Sequence, residues 1–238
     1  ACNKDTTKIE NWNGDWDLTY SCECGNKECL DIRKAKNVKL GWRVDWPMRW
    51  AYEKVVFEPA GKDHHSQGGS FDTARLVSEK IYNWKAPISF RYDFIGLKGL
   101  PGKMSSSKGK VVSLTDVLEV YQSEVLRYLF ASTRPNTEFV ISFDLDVIKI
   151  YEDYDKCERI AWKLQEAKNE EVFQKEYRIY ELSQIAEMPS MPSYQIPFRH
   201  LCNLLQVHNG NIEAVLAGLK DLKDEQRQRL MERAKCAW

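Results

Sequence analysis

The fold assignment depends on the stretch Gly102-Lys103-Met104-Ser105-Ser106-Ser107-Lys108-Gly109. This segment is short, bounded by glycine and rich in hydroxyl groups, and a strand-like run over residues 88–97 leads into it. Glycine permits backbone conformations that residues with a Cβ atom avoid, so we expect a loop that can move. Its lysines and serines offer positive charge and hydrogen-bond donors to phosphate oxygens. Such a loop suits a reaction in which negative charge builds up on a departing polyphosphate, although the same composition is also typical of a solvated turn.

The segments before this loop have the pattern of an α/β fold. The apolar run Val55-Val56-Phe57 stops at Pro59-Ala60-Gly61, as expected of a buried strand that ends in a loop. A helix is predicted from Ser70 to about Ile81, with Ser70 and Asp72 as capping residues. Residues 88–97 return to strand-like composition. Strand, helix, strand and glycine-rich loop together predict the second half of a nucleotide-binding α/β sheet of the Rossmann type.

The chain after the loop is predicted to be mainly helical. Ser113 and Asp116 form a Ser-x-x-Asp start signal, and the helical pattern continues until Pro135 breaks it. A short strand over residues 139–143 and a helix from about Asp146 follow. Beyond them, a mixed, proline-containing stretch (residues 168–195) is interpreted as a connector, and Pro197 fits the first position of another helix.

Composition excludes several classes of protein. The 238 residues carry 35 basic and 35 acidic side chains, so the chain does not coat polyanions through its overall charge. No apolar run approaches the roughly 18 residues that a membrane helix needs, and no signal-peptide pattern is present. We therefore expect no membrane association and a cytoplasmic location. The seven cysteines are an odd number, which argues against a disulfide framework.

The motifs resemble those of one enzyme family. The string KMSSSKG at positions 103–109 is similar to the KMSKS signature of class I aminoacyl-tRNA synthetases, in the KMSSS form of the class I lysyl-tRNA synthetases. Further segments resemble motifs of that family: Trp42-Arg43-Val44-Asp45-Trp46-Pro47, Gly61-Lys62-Asp63-His64-His65, and residues 143–155. The resemblance covers roughly residues 1–210. It implies an enzyme that uses ATP with Mg²⁺ to convert L-lysine to lysyl-adenylate and then transfers lysine to tRNA(Lys).

The resemblance also assigns roles to individual residues. In catalysis, the phosphates would be stabilised by Lys103, Ser105, Ser106 and Ser107. ATP would be bound by Gly61, Asp63, Lys103, Met104 and Lys108, with Asp63 holding the ribose hydroxyls. Lysine would be bound by Trp42, Asp45, His64 and Tyr92.

Alternatives remain open at two of these positions. Interpreted as a strand, the segment from Trp42 to Trp46 would place Asp45 on the face opposite both tryptophans. An ion pair of Asp45 with Arg43 or Arg49 explains this carboxylate equally well. The paired histidines are also typical of a polar turn or a helix cap.

Four cysteines near the N-terminus are candidate zinc ligands: Cys2, Cys22, Cys24 and Cys29. Structural zinc sites usually combine two Cys-x₂₋₄-Cys pairs, whereas the second pair here is irregular and a partner of Cys2 would lie before residue 1. Reduced, unliganded thiols are the alternative. The family carries a zinc-bearing insertion at this place, so the resemblance favours a structural Zn²⁺. The polar pattern of residues 1–40 predicts a small set of hairpins.

The resemblance divides the chain into four regions. They are a cysteine-bearing insertion (residues 1–41), the C-terminal half of the catalytic domain with the KMSSS loop (42–112), a region resembling the stem-contact part (113–165), and the start of an α-helical anticodon-binding domain (166–238). The HIGH-type motif of the family does not occur in this sequence. We therefore expect an internal piece of a longer enzyme that is inactive by itself. The rival hypotheses are a class I synthetase for arginine or glutamate, and a non-catalytic RNA-binding module derived from a synthetase.

Overall fold

A computed structural model describes residues 2, 4, 6–100 and 112–238. The KMSSS loop lies outside the described residues, and with it the predicted roles of Lys103, Met104, Ser105, Ser106, Ser107 and Lys108. The chain divides into two compact units, Ala1–Phe90 and Arg91–Trp238. Each has its own core.

The first unit begins with the expected hairpins. Three antiparallel strands form a sheet in the order β1 (Thr7–Trp12), β2 (Asp17–Cys22) and β3 (Lys27–Asp31). Every residue of β1 is exposed, so local hydrogen bonds stabilise this sheet more than a core does. One example is the contact from the Ser21 hydroxyl to the Glu10 carboxylate, at 2.6 Å.

The segment predicted as a strand at Trp42 is a helix, α1 (Trp42–Glu53). Its tryptophans recur at every fourth position, which places Trp42, Trp46 and Trp50 on one helix face. Trp46 and Trp50 are buried, whereas Trp42 is 53 % exposed. The strand interpretation was wrong because a spacing of four residues satisfies both a period of two and a period of 3.6.

The rest of the first unit supports this tryptophan face. After β4 (Ala60–Gly61), the predicted helix forms as α2 (Ser70–Lys80), with Gly69 as its N-cap in place of a capping side chain. The core of the unit consists of Trp46, Trp50, Ala60 and Ala74, with Val55, Phe71, Trp84 and Ala86 packed against it.

The predicted buried strand at residues 55–57 is only partly correct. The backbone of this segment runs parallel to residues 88–90, with Phe57 bridged to Ile88. However, Val56, Phe57 and Ile88 are 70 %, 56 % and 75 % exposed. These apolar side chains form an uncovered edge, of the kind that another part of a protein usually covers.

The second unit is mainly helical, as predicted. Its short strands are β5 (Arg91–Tyr92), β6 (Ile95–Leu97) and β7 (Phe139–Ile141), and β6 and β7 pair in parallel. The continuous strand expected over residues 88–97 is therefore interrupted. The helices are α3 (Leu114–Leu118), α4 (Ser123–Ser132), α5 (Asp146–Ala161), α6 (Glu170–Ser183), α7 (Phe198–Val207), α8 (Ile212–Ala217) and α9 (Asp224–Ala237).

Two details differ from the sequence prediction. The capping box of Ser113 and Asp116 is present, but the helix that it begins ends at Leu118 and a second helix follows. Residues 168–195, interpreted as a connector, contain the 14-residue helix α6. Among the described residues, no helix is both long and apolar enough to cross a membrane.

A buried carboxylate organises the core of the second unit. Glu158 on α5 accepts hydrogen bonds from the Tyr180 hydroxyl at 2.8 Å and from Arg229 at 3.0 Å. Ser193 and Gln195, in the segment before α7, donate three more. Glu158 therefore ties α5 to α6, to α9 and to the segment between them.

Candidate functional site

An aromatic cluster on α1, on α2 and in the turn between β4 and α2 forms the candidate binding site of the first unit. It consists of Trp42, Trp46, Trp50, His64 and Phe71. The rings of Trp42 and Trp46 are stacked, with centroids 5.1 Å apart and planes 16° apart. The His64 ring lies 6.0 Å from Trp42 and 5.6 Å from Trp46. The helix therefore presents one half-exposed indole, Trp42, next to an imidazole.

A tight turn between β4 and α2 holds His64 in place. The His64 Nδ1 atom is 2.7 Å from the hydroxyl of Ser70, and its Nε2 atom is 3.9 Å from an oxygen of Asp63. Gly69 closes the turn, because a Cβ atom there would lie 2.7 Å from the backbone oxygen of His64 and 2.6 Å from that of Ser66. Ser70 thus positions the imidazole instead of capping the helix.

The two adjacent histidines have different surroundings. His65 packs against Phe71, with ring centroids 4.6 Å apart, and its Nε2 atom lies 3.1 Å from the hydroxyl of Ser89. His64 is the histidine that contacts both Trp42 and Trp46. The structure therefore brings together two of the residues predicted to bind lysine, Trp42 and His64.

Asp45 and Tyr92 have other neighbours. Asp45 forms an ion pair with Arg49 one helical turn later, at 2.8 Å, which is the alternative that the sequence left open. Tyr92 belongs to the second unit, where it is exposed on β5. The residues predicted to bind ATP that the structure describes, Gly61 and Asp63, lie at the end of β4 and in the turn after it.

Sequence reasoning missed Glu58. Its carboxylate accepts a hydrogen bond from the indole nitrogen of Trp46 at 2.8 Å and a short one from that of Trp50. A single glutamate beside Pro59 forms no recognisable motif. Its partners are 12 and eight residues earlier in the chain, and only the helical conformation of α1 brings both indoles to one carboxylate.

Three of the four candidate zinc ligands converge at one end of the hairpin sheet. The sulfur atoms of Cys2, Cys22 and Cys24 all lie within 4.8 Å of one another, and those of Cys2 and Cys22 are 3.7 Å apart. A hydrogen bond with Thr6 lowers the pKa of the Cys22 thiol to about 7, which favours the thiolate that metals bind. Within the described part of the chain, Cys29 does not belong to this group; it is exposed on β3 opposite Thr19. The three sulfurs would supply three of the four ligands that a structural zinc ion takes.

The chemistry of the aromatic cluster suits a small cationic ligand. The face of a tryptophan attracts an ammonium group, and a neighbouring imidazole and carboxylate can accept hydrogen bonds from it. The position at the carboxyl end of a strand is the usual ligand-binding edge of an α/β fold. The tryptophan face and the end of the strand both lie between Trp42 and Ser70 in the sequence.

Comparison with known proteins points to one family. The family described as "tRNA synthetases class I (K)" matches residues 1–186. The chain is 66 % identical to a "Lysine--tRNA ligase" of Treponema pallidum over all 238 residues, which cover 45 % of that protein. A "Lysine--tRNA ligase" of Borreliella burgdorferi is 56 % identical over 99 % of the chain and 45 % of its own length. One of Thermococcus kodakarensis is 42 % identical over 92 % of the chain and 41 % of its own length. The chain thus spans less than half the length of these relatives.

Proposed function

The chain belongs to the class I (K) family of tRNA synthetases, and we propose that it is part of an enzyme that activates lysine with ATP and transfers it to tRNA(Lys). The observation that carries the proposal is the contact of Trp42 and His64. The names of the relatives support lysine over arginine or glutamate as the substrate.

Lysine binding would use the exposed face of Trp42. This indole is stacked on Trp46, which is buried and hydrogen-bonded, so its orientation is fixed before the ligand arrives. An ammonium group on such a face gains up to about 2 kcal/mol when it is desolvated. His64 borders the same space and would contact a polar group of the amino acid. Asp45 and Tyr92 remain further candidates by resemblance alone.

Activation requires no catalytic base, because the carboxylate of lysine is already ionised at neutral pH. A carboxylate oxygen attacks the α-phosphorus of ATP, the bond from that phosphorus to the bridging oxygen breaks, and pyrophosphate leaves. Asp63 would hold the ribose hydroxyls, and Gly61 would let the nucleotide approach the backbone. Lys103 and the serines of the KMSSS sequence would stabilise the charge on the phosphates, where bound Mg²⁺ supplies further neutralisation.

The transfer of lysine to tRNA(Lys) would start from lysyl-adenylate. A hydroxyl of the terminal ribose of tRNA(Lys) attacks the carbonyl carbon of lysyl-adenylate, and AMP leaves. We assign tRNA contacts to the helical second unit, with residues 113–165 as a stem-contact region and residues 166–238 as the start of an anticodon-binding domain. We also propose that residues 42–112 form the C-terminal half of a Rossmann-type catalytic domain. Residues 1–41 would be an insertion.

The test is lysine-dependent exchange of pyrophosphate with ATP by the full-length protein. Substitution of Trp42 by alanine should raise the KM for lysine about 30-fold, the equivalent of about 2 kcal/mol. Trp12→Ala is the matched control, because this indole is 60 % exposed on the hairpin sheet. Exchange that depends on another amino acid, or that does not occur in the full-length protein, would overturn the proposal.

A further inference from the structure

We infer that Glu58 is a positioning residue for amino-acid binding, because it fixes the tryptophan face against which the ligand would lie. This inference rests on the proposed function of Trp42 and His64. Glu58 does not belong to the aromatic cluster itself. It acts on the ligand site through Trp46.

The two hydrogen bonds of Glu58 determine how the indoles are rotated. One carboxylate oxygen accepts from the Trp46 nitrogen at 2.8 Å, and the other accepts from the Trp50 nitrogen. Both indoles are buried, with exposures of 6 % and 0 %. Packing alone fills space, whereas a charged acceptor also specifies which edge of each ring faces it. Glu58 therefore selects one orientation of Trp46.

The orientation of the Trp46 ring affects the candidate ligand site, because two rings of that site contact Trp46 directly. Trp42 is stacked on Trp46 at 5.1 Å, and His64 lies 5.6 Å from Trp46. A rotation of the Trp46 ring would move the ring on which Trp42 is stacked. The same rotation would change the contact of His64 with Trp46. Trp46 is the only ring through which Glu58 reaches both Trp42 and His64 among the contacts of the described residues.

Glu58 also couples helix α1 to the backbone segment that leads to the turn after β4. Its backbone N–H donates to the carbonyl of Ile88 at 3.0 Å, so the residue is part of the parallel backbone pairing. Pro59 follows it, and the next two residues, Ala60 and Gly61, are buried. The residue thus sets the position of α1 relative to the turn that carries Asp63 and His64.

Glu58 is half-buried, so its carboxylate has lost part of its contact with water. Moving an ionised group out of water is unfavourable unless hydrogen bonds replace its hydration. A side chain of similar size without charge would fill the same space against the tryptophans. The two indole hydrogen bonds replace the lost contact with water, and control over ring orientation accounts for a carboxylate at this place.

The test compares Glu58→Gln with Glu53→Gln in the full-length protein. Glutamine offers one acceptor oxygen and a donor NH₂ group, so one indole loses its partner, whereas Glu53 is exposed at the end of α1. We expect Glu58→Gln to raise the KM for lysine about ten-fold, while the KM for ATP changes less than about two-fold. The side-chain N–H resonances of Trp46 and Trp50 should shift in the same variant. Glu53→Gln should change neither the constants nor the resonances.

The outcomes separate this inference from the proposed function. If the wild-type protein shows no lysine-dependent exchange, the proposed function fails first. If exchange is normal and the indole resonances of Glu58→Gln shift without any change in the KM for lysine, the positioning role is refuted. Equal increases in the KM for lysine and for ATP would indicate a general structural role and would also overturn it. If Glu58→Gln does not fold, Trp50→Phe, which removes one donor and keeps a ring, should give a smaller increase in the KM for lysine alone.

Discussion

At the scale of single residues, the position of His64 depends on the glycine that closes its turn, Gly69. Gly69 has a φ of −69°, which any residue adopts, so only its lack of a side chain matters. A Cβ atom would meet two backbone oxygens and the Ser66 hydroxyl at 2.6 to 2.8 Å, closer than real Cβ contacts. Backbone oxygens cannot rotate away as a side chain can. The turn must therefore open if the glycine is replaced.

Substitution of Gly69 by alanine should lower the free energy of unfolding by about 1–3 kcal/mol, the usual cost of overpacking. It should also raise the KM for lysine in the full-length protein, since His64 would move. Gly41→Ala is the control, because a Cβ atom at Gly41 meets nothing within 4 Å. Urea unfolding and pyrophosphate exchange measure the two effects. Equal stability of the two variants would contradict this account of the turn.

Resemblance to family motifs selected two residues of the candidate site. Trp42 and His64 could be selected because their neighbours resemble family motifs, and the structure places their rings 6.0 Å apart. Glu58 could not be selected, since nothing in its local sequence distinguishes it from a solvated glutamate. Its role is set by two indoles on another element, and such a contact exists only after the chain has folded.

At the scale of elements, helices α5, α6 and α9 depend on one carboxylate. Tyr180→Phe removes the hydroxyl that donates to Glu158 at 2.8 Å and leaves the ring in place. We expect a loss of about 1.5–3 kcal/mol in the free energy of unfolding, as is usual for a hydrogen bond to a charged group. Tyr177→Phe on the same helix is the control, because Tyr177 is 38 % exposed. Denaturant unfolding of both variants tests the difference, and an unchanged midpoint for Tyr180→Phe would argue against the network.

The hairpin sheet gives a prediction about metal. We expect roughly one zinc ion per chain in the full-length protein, released by a chelator. Cys22→Ser should abolish it, because Cys22 lies 3.7 Å from the sulfur of Cys2 and belongs to the three-sulfur group. Cys29→Ser is the matched control and should retain the metal. Metal analysis of the purified variants decides the matter, and zinc lost only from Cys29→Ser would refute the ligand set.

The elements show where sequence patterns were sufficient. The helices after Ser113 and Asp146 were predicted because a capping box and a regular apolar pattern marked them. Helix α6 was missed, although Asn169 caps it through a hydrogen bond to the N–H of Val172 at 2.9 Å. Prolines beyond its end suggested a connector, although good helix formers such as Glu, Lys, Arg and Leu are common within it. In α1, the spacing of four residues between tryptophans fitted the period of a strand and that of a helix equally well.

At the scale of the whole molecule, activity should require more than these 238 residues. The family's HIGH-type motif does not occur in the sequence, and the relatives are more than twice as long. We expect the isolated chain to give negligible lysine-dependent exchange of pyrophosphate, and the full-length protein to give exchange that saturates with lysine. The two proteins should be compared at equal concentration. Robust exchange by the isolated chain would contradict the expectation.

The tryptophan face of α1 has a consequence for the circular dichroism of the protein. Trp42, Trp46 and Trp50 form a row in which neighbouring ring centroids are 5.1 and 4.9 Å apart. We expect the electronic transitions of indoles at such separations to couple and to contribute to the circular dichroism of the protein. His64 borders the row, so a ligand bound against Trp42 should change this signal. We expect circular dichroism to follow ligand binding at the candidate site without a label.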